Sequence, residues 1–273
     1  MIVFDLQPAQ RPSPLVVEVP HAGLDLPGDL SEPLVADERQ RKGDADLFVD
    51  QVYAGAPSAG APLLIARISR YVCDLNRDPD DVDAGAVVGL ENPRAAAPRG
   101  FVWRLTTDGA PALSRPLSRA EWEARRDRVW LPYHARLEHL LDDARARHGF
   151  ALLVAGHSMP TVGRAGHQDP GRRRADVVVG VRGGTSCAPA VRDLVVEHFA
   201  SAGYSTAIDD PYKGGATTVR YGRPAEDLHA VQIELGRALY MDEERLEIRA
   251  DGLARLRGVM DALLRTLVRL QRP

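Results

Sequence analysis

Cysteine is scarce in this sequence, which contains only Cys73 and Cys187. Two thiols cannot build the disulfide framework of a small secreted protein, and their spacing matches no cysteine-based zinc motif. Residues 1–14 also lack the basic segment and the sustained apolar run of a signal peptide. We therefore expect a reducing, cytoplasmic location.

Long apolar runs and a dominant charge are absent as well. No stretch approaches the roughly 18 apolar residues that a membrane-spanning helix requires, so we expect no membrane partner. The net charge is -3, and most arginines lie in segments that also carry Asp and Glu, which argues against nucleic acid as a partner. The 273 residues can bury a sizeable core and predict a single α/β domain over residues 1–273.

Segments with strand character alternate with segments of helical character along the chain. The predicted strands are Leu15–Val19, Leu63–Ser69, Ala151–Pro160, Asp176–Val181, Tyr204–Ile208 and His229–Leu235. The predicted helices are Ala36–Gly55, Ser118–His148, Pro189–Ala202 and Glu243–Gln271. This alternation predicts a mixed, largely parallel sheet that is covered by helices. Residues 80–117 are rich in Gly and Pro and predict a loop-rich insertion, which at this length is usually functional, for instance as a lid.

Two histidines lie at the predicted carboxyl ends of strands. His21 follows Leu15–Val19, and the apolar run of Ala151–Pro160 stops at His157. Ligands and reacting groups collect at this edge of an open α/β sheet, although a single histidine after a strand is more often structural. A carboxylate from Asp46 would complete a set of two histidines and one carboxylate, which is the pattern of a catalytic zinc site.

Three acidic positions could serve the predicted metal site, either as a ligand or as a base. Asp46 and Asp50 are spaced by one helical turn on the predicted helix Ala36–Gly55 and should share a face, either in solvent or beside a cation. Glu234 lies within the alternating strand His229–Leu235, where a buried carboxylate is costly unless it is paired or close to a metal. Glu234 is therefore the candidate general base, which would accept the proton of an attacking water.

Planar hydrogen-bonding groups follow the predicted strand Leu63–Ser69. Arg70, Asn76 and Arg77 could hold the acid end of a substrate, because a guanidinium group binds a carboxylate through two parallel hydrogen bonds. The same residues could equally brace a loop.

A serine offers a different chemistry. Gly156–Pro160, with the sequence GHSMP, partly matches the G-x-S-x-G nucleophile elbow, and Ser158 occupies the position of the nucleophile. Pro160 replaces the final glycine and would obstruct the sharp turn into a helix. A serine hydrolase is therefore the less favoured alternative.

Longer motifs extend along the chain from about residue 16 to about residue 245. They are Pro20-His21-Ala22-Gly23; Asp44-Ala45-Asp46 with Val49-Asp50; Ser69-Arg70-Tyr71 with Asp74-Leu75-Asn76-Arg77; Gly156-His157-Ser158-Met159-Pro160; Pro211-Tyr212-Lys213-Gly214-Gly215; and Gln232-Ile233-Glu234 with Tyr240-Met241. In these motifs, and in their order, the chain resembles the N-formylglutamate amidohydrolase family, the N-formylglutamate deformylases of histidine breakdown. That family is similar to zinc-dependent exopeptidases of the carboxypeptidase and aspartoacylase type.

The resemblance implies a three-layer α/β/α sandwich around a mixed, largely parallel sheet. It also implies hydrolysis of N-formyl-L-glutamate to formate and L-glutamate, with one divalent metal, Zn2+, per chain and Glu234 as general base. The implied metal ligands are His21, His157 and Asp46, with Asp50 and Asp44 as alternatives for the third. The implied substrate-binding residues are Asn76 and Arg77 for the α-carboxylate, Arg70 as an assisting group, and Lys213, Gly215 and Arg220 for a second carboxylate or an oxyanion.

The sequence departs from the family pattern in two places. Leu24 stands where the wider superfamily usually has a glutamate, three residues after the first histidine, and residues 84–112 differ from the loop of the histidine-pathway enzymes. These departures leave the acyl group and the amino acid open. Deacylation of another small N-acyl amino acid, and carboxylate binding without catalysis, remain alternatives.

Overall fold

The computed structural model describes residues 1–90 and 98–273, so part of the predicted insertion 80–117, residues 91–97, lies outside the described residues. The core is a seven-stranded mixed sheet with the order β1-β3-β2-β4-β7-β5-β6. Its strands are β1 Phe4–Gln7, β2 Leu15–Val19, β3 Leu63–Ala66, β4 Ala151–Met159, β5 Val177–Gly180, β6 Thr206–Ile208 and β7 Leu228–Gly236. The β1–β3 and β5–β7 pairs are antiparallel, and the other pairs are parallel. A separate pair of short strands consists of β8 Met241–Asp242 and β9 Glu247–Ile248.

Helices cover both faces of the sheet. They are α1 Gly28–Ser31, α2 Glu38–Asp44, α3 Val49–Val52, α4 Ala56–Ala59, α5 Arg119–Arg125, α6 Leu131–His148, α7 Pro189–Ser201, α8 Ala216–Tyr221 and α9 Ala250–Leu267. Side chains alternate between the two faces of a strand, so along β2 Val17 belongs to the core layer shared with α3, α4, α7 and α9, while Val16 belongs to the layer shared with α1, α5, α6 and α8. The predicted α/β/α sandwich is confirmed. None of the helices in the described ranges is long and apolar enough to cross a membrane.

The predicted continuous helix Ala36–Gly55 is wrong. The chain leaves α2 after Asp44 and resumes helical structure only at α3. Phe48 has a φ of 65°, which a right-handed helix cannot contain, so the two helices are separated by a turn. Asp46 lies in this turn and Asp50 lies on α3, and the prediction that they share one helix face is therefore also wrong.

Other boundaries shift by smaller amounts. The edge strand β1 is missing from the sequence prediction, and the C-terminal helix begins at Ala250, because residues 241–248 form β8 and β9 instead. The strand β4 does not stop at His157 but continues to Met159. His157 is therefore a residue of the strand itself, where it pairs with Glu234 of β7.

A buried histidine on α6 makes the stability of the fold sensitive to pH. His134 is 2% exposed, and its Nε2 donates a hydrogen bond to the Leu75 carbonyl at 2.9 Å while its Nδ1 accepts one from the Tyr221 hydroxyl at 2.9 Å. Burial lowers the pKa of His134 from 6.5 to about 3. Below pH 6.5, His134 is therefore protonated in the unfolded chain but remains neutral in the folded chain until the pH approaches 3. The free energy of unfolding consequently falls as the pH decreases from 6.5 towards 3.

We expect the His134→Gln variant to lose this dependence. Its free energy of unfolding should be lower than that of the wild type at neutral pH, and the difference should shrink by about 1.4 kcal/mol per pH unit below about pH 6.5. Urea unfolding of both proteins at a series of pH values measures the difference. A difference that stays constant with pH would contradict the prediction.

Candidate metal centre and cavity

A cavity of about 400 Å³ opens at the carboxyl ends of β2, β4 and β7. Its size is typical of a site for a small molecule, and its position is the usual one in an open α/β sheet. The lining contains the buried groups of the predicted metal site together with several cationic side chains. The carboxyl ends of the central strands thus bring together residues that are far apart in the sequence.

Three buried residues at the floor of the cavity, His21, Asp46 and His157, could hold a metal ion between them. One potential ligand atom from each lies within 4.8 Å of the others. Asp46 Oδ2 is 3.0 Å from Nδ1 of His157 and 3.5 Å from Nδ1 of His21. The Nδ1 atom of His21 is buried and has no hydrogen-bond partner among the described residues. Although burial opposes its charge, the hydrogen bond to His157 and the proximity of both histidines hold the pKa of Asp46 well below its usual value.

A buried arginine positions the Asp46 carboxylate. Arg237, which is 5% exposed, donates hydrogen bonds to the carbonyl oxygens of Gly43 at 2.6 Å and Ala45 at 2.7 Å, and its Nε donates to Ser158 Oγ at 3.2 Å. Ser158 Oγ in turn donates to Asp46 Oδ1 at 3.2 Å. These contacts hold the turn after α2 in place and leave Asp46 Oδ2 facing the histidines. Ser158 is thus engaged with the third candidate ligand.

A second buried carboxylate orients His21. Asp74 Oδ1 is 2.7 Å from His21 Nε2, and Asp74 Oδ2 accepts hydrogen bonds from Arg70 at 2.7 Å and from Trp103 Nε1 at 3.1 Å. Despite burial, the charges of Arg70 and His21 keep the pKa of Asp74 well below its usual value. An ionised carboxylate at Nε2 favours the tautomer with the proton on that atom, which leaves the Nδ1 lone pair available to a metal ion.

The candidate base lies beside the candidate ligands. Glu234 in β7 is the register partner of His157 in β4, and it is 5% exposed. Its Oε1 accepts a hydrogen bond from Gln232 Nε2 at 2.7 Å. Burial raises the pKa of Glu234 to about 7, and the Asp46 charge acts in the same direction, although the charge of His157 opposes both. A carboxyl group with a pKa close to neutrality is suited to accept and return a proton.

Of the predicted substrate-binding residues, five line the cavity: Arg70, Asn76, Arg77, Lys213 and Gly215. Arg220 does not belong to the cavity lining; it is exposed, with its guanidinium carbon 5.3 Å from the centre of the Trp130 ring. Arg70 is committed to Asp74, whereas Arg77 is 40% exposed at its side chain and, within the described residues, makes a single long ion-pair contact, 3.8 Å, with Asp81. Arg77 is thus the more available of the two guanidinium groups.

Asn76 joins the floor of the cavity to the loop before α8. Its Oδ1 accepts hydrogen bonds from the backbone nitrogen and the hydroxyl of Thr217 at 3.1 and 3.0 Å. Its Nδ2 donates to Gln232 Oε1 at 3.1 Å and lies 3.2 Å from His157 Nε2. A side chain at Gly215 would place its Cβ 2.3 Å from Asn76 Oδ1, so only glycine permits this close approach.

The alternative carboxylates for the metal site occupy different surroundings. Asp44 lines the cavity, but its oxygens are bound by the Tyr71 hydroxyl at 2.5 Å, the Thr107 backbone nitrogen at 3.0 Å and the Arg164 guanidinium. Asp50 lies on α3 and is not part of the cavity lining. Asp46 is the one of the three that falls in the group with both histidines.

The fold and the geometry define a class: an α/β/α protein with a candidate metal-dependent hydrolase site, in which two histidines and a carboxylate stand beside a glutamate. Comparison with known proteins narrows this class. The profile of the family described as N-formylglutamate amidohydrolase matches residues 13–241. The chain belongs to this family, which confirms the resemblance of the sequence motifs.

Individual relatives agree with the family assignment. The chain is 34% identical over 261 residues to an N-formylglutamate deformylase of Pseudomonas putida, covering 93% of this chain and 92% of that protein. It is also 34% identical over 259 residues to an N-formylglutamate deformylase of Pseudomonas aeruginosa, with the same coverage of 93% and 92%.

Solved structures agree with the fold. The crystal structure of N-formylglutamate amidohydrolase from Ralstonia eutropha JMP134 superposes with a TM-score of 0.89 at 33% sequence identity, covering 98% of each chain. A gene product of Agrobacterium tumefaciens shares the fold, with a TM-score of 0.70 at 21% identity over 98% of this chain and 96% of the other.

Sequence reasoning missed Asp74, Arg237 and Arg99 as residues of this cavity. Asp74 stands in the same motif as Asn76 and Arg77, so its spacing from that pair was a usable signal. Arg237 and Arg99 stand in segments without a recognisable pattern, and their positions depend on contacts that only the folded chain makes.

Proposed function

We propose that this protein hydrolyses the N-formyl amide of N-formyl-L-glutamate to formate and L-glutamate, using one Zn2+ ion per chain. The observation that carries the proposal is the meeting of His21, Asp46 and His157 beside Glu234 in a chain of the N-formylglutamate amidohydrolase family. Relatives that share about a third of its sequence are named for this activity.

The donor set fits a zinc ion. Imidazole nitrogen and carboxylate oxygen are ordinary zinc ligands, and three protein ligands leave a further position open in a catalytic site. The unpartnered Nδ1 of His21, with Asp74 fixing the opposite nitrogen, supports this fit because a buried nitrogen without a partner is otherwise costly. His21, His157 and Asp46 would hold the ion, which when bound lowers the pKa of water and polarises a carbonyl group.

The residues of the chain supply the remaining chemistry. Glu234 would take a proton from the attacking water and deliver it to the leaving nitrogen, as its raised pKa favours. Arg77 would bind the α-carboxylate of the substrate, because its guanidinium faces the cavity with only a loose contact to Asp81. Asn76 would act chiefly by holding the loop of Gly215 and Thr217 against the floor, since its side chain is already fully hydrogen-bonded.

We expect the purified protein to contain about one equivalent of zinc per chain and to release formate from N-formyl-L-glutamate. Removal of the metal with a chelator should abolish formate release, and added Zn2+ should restore it, because no activated water is available without the ion. Metal analysis combined with an enzymatic formate assay measures both effects.

A panel of substrates separates this proposal from its alternatives. N-acetyl-L-glutamate and N-formyl derivatives of neutral amino acids should react more slowly than N-formyl-L-glutamate. Faster hydrolysis of another N-acyl amino acid would transfer the proposal to that substrate. A protein without metal that binds L-glutamate and releases no formate would instead indicate a carboxylate-binding protein.

A further inference from the structure

The cavity carries more positive charge than its own carboxylates account for. Its cationic lining residues are Arg70, Arg77, Arg99, Arg164, Arg182, Lys213 and Arg237. Arg70 is neutralised by Asp74, Arg164 by Asp44, and Arg237 by contacts that include Asp46. The remaining cations have no such close carboxylate among the described residues, and an anionic substrate is the natural partner for them.

Arg99 is half-buried, as Arg77 is, whereas Arg182 and Lys213 are exposed. Within residues 1–90 and 98–273 its guanidinium has one hydrogen-bond acceptor, the Gly166 carbonyl, and no ion pair. Burial lowers the pKa of Arg99, and the nearby charges of Arg77 and Arg70 lower it further, while Asp44 acts in the opposite direction. A half-buried guanidinium in a region of net positive charge is unfavourable unless an anion joins it.

The position of Arg99 is fixed by two loops. Gly166 donates its backbone N–H to the Thr107 carbonyl at 2.9 Å while its own carbonyl accepts from Arg99. A Cβ atom at Gly166 would lie 2.8 Å from Arg99 Nη1 and 2.3 Å from the Thr107 carbonyl oxygen. The loop after β4 therefore packs its backbone directly against Arg99, which holds the guanidinium at the cavity before any substrate arrives.

We propose that Arg99 determines the substrate specificity of this site by binding the side-chain carboxylate of an acidic N-formyl amino acid. The proposal rests on the proposed function, in which Arg77 takes the α-carboxylate and the second carboxylate needs a cation of its own. Arg99 meets this need better than Lys213 and Arg220, which the sequence suggested, and better than Arg182. Lys213 and Arg182 are exposed, and Arg220 lies outside the cavity lining.

The test compares N-formyl-L-glutamate with N-formyl-L-glutamine, which has the same shape without the side-chain charge. In Arg99→Gln, we expect kcat/KM for N-formyl-L-glutamate to fall about 100-fold, mainly through KM, with little change for N-formyl-L-glutamine. Arg99→Lys should recover part of the preference for glutamate, because it restores the charge without the two-pronged geometry. Arg99 does not contact the candidate metal ligands, so the metal content of the variants should equal that of the wild type. An unchanged metal content also indicates that the variants are folded.

Arg182→Gln is the matched control, since it removes an exposed arginine of the same cavity. It should retain the preference for glutamate over glutamine. The proposal would be overturned if Arg99→Gln kept the preference for glutamate over glutamine. Loss of that preference in Lys213→Gln, with Arg99→Gln unaffected, would assign the role to Lys213 instead.

Failure of the proposed function is distinguishable from failure of this inference. If the wild type releases no formate from N-formyl-L-glutamate, the proposed function fails. The role of Arg99 can then be tested directly by calorimetry, which measures the binding of L-glutamate and of L-glutamine to the wild type and to Arg99→Gln. Discrimination between the two amino acids that disappears in the variant supports that role, and discrimination that persists refutes it.

Discussion

The Glu234→Gln variant is expected to lose roughly two to four powers of ten in kcat for formate release, the contribution of a well-placed general base. Glutamine preserves the shape of the side chain and can still accept the hydrogen bond from Gln232 Nε2. It cannot take a proton from water or return one to the leaving nitrogen. We therefore expect KM and zinc content to stay close to the wild-type values, as steady-state kinetics and metal analysis will show.

Glu18 provides a matched control for this substitution. It is a fully buried glutamate in the central strand β2, it accepts a hydrogen bond from the Tyr133 hydroxyl at 2.9 Å, and it does not line the cavity. Glu18→Gln makes the same chemical change at a site without access to substrate, and kcat should remain near the wild-type value. Equal activity of Glu234→Gln and wild type would refute the role of Glu234 as the base.

The second large effect is expected for Asp46→Asn, which should weaken zinc binding by more than about 100-fold. Even groups that only orient metal ligands change metal affinity by about 10–100-fold when they are replaced, and Asp46 Oδ2 faces the metal position itself. The amide also removes the negative charge that offsets the ion. Competition with a chromophoric zinc chelator measures the affinity, and formate release should disappear at limiting zinc.

Asp50 and Asp44 supply the controls, because they are the other acids considered for this ligand. Asp50→Asn changes a carboxylate of α3 outside the cavity lining and should leave zinc affinity unchanged. Asp44→Asn weakens the attachment of Arg164 and Tyr71, and it should affect zinc less than Asp46→Asn does. Loss of zinc in Asp50→Asn, with Asp46→Asn unaffected, would reassign the third ligand.

Periodicity in the sequence predicted the layered fold well. β2, β3 and β4 are largely apolar segments and β7 alternates between apolar and polar residues, so all four strands were recognisable. The edge strand β1 is short and alternates between half-buried and exposed residues, so its sequence contains no apolar run that would have predicted a strand. The break between α2 and α3 depends on the left-handed backbone of Phe48, and no residue preference signals such a conformation at phenylalanine.

The candidate site was predictable where chemistry and strand position coincide. The histidines and Glu234 are reactive types placed at or near strand ends, and the structure brings them together with Asp46 from the turn between α2 and α3. The residues that hold them are arginines and carboxylates with partners far away along the chain. Arg237 meets Asp46 across 191 positions, and Arg99 meets Gly166 across 67. An arginine in an irregular segment gives no sign of such a partner, because surface arginines are just as common there.

The pairing of β4 with β7 has a consequence for redesign of the protein. His157 and Glu234 face each other across two parallel strands that remain in register from Ala151 and Leu228 to Met159 and Gly236. Neighbouring strands lie about 4.8 Å apart, so hydrogen bonds of the sheet, rather than any loop, set the spacing of these two groups. Loops at the mouth of the cavity could therefore be exchanged between homologues to admit a different amino acid, with the spacing of His157 and Glu234 carried over unchanged.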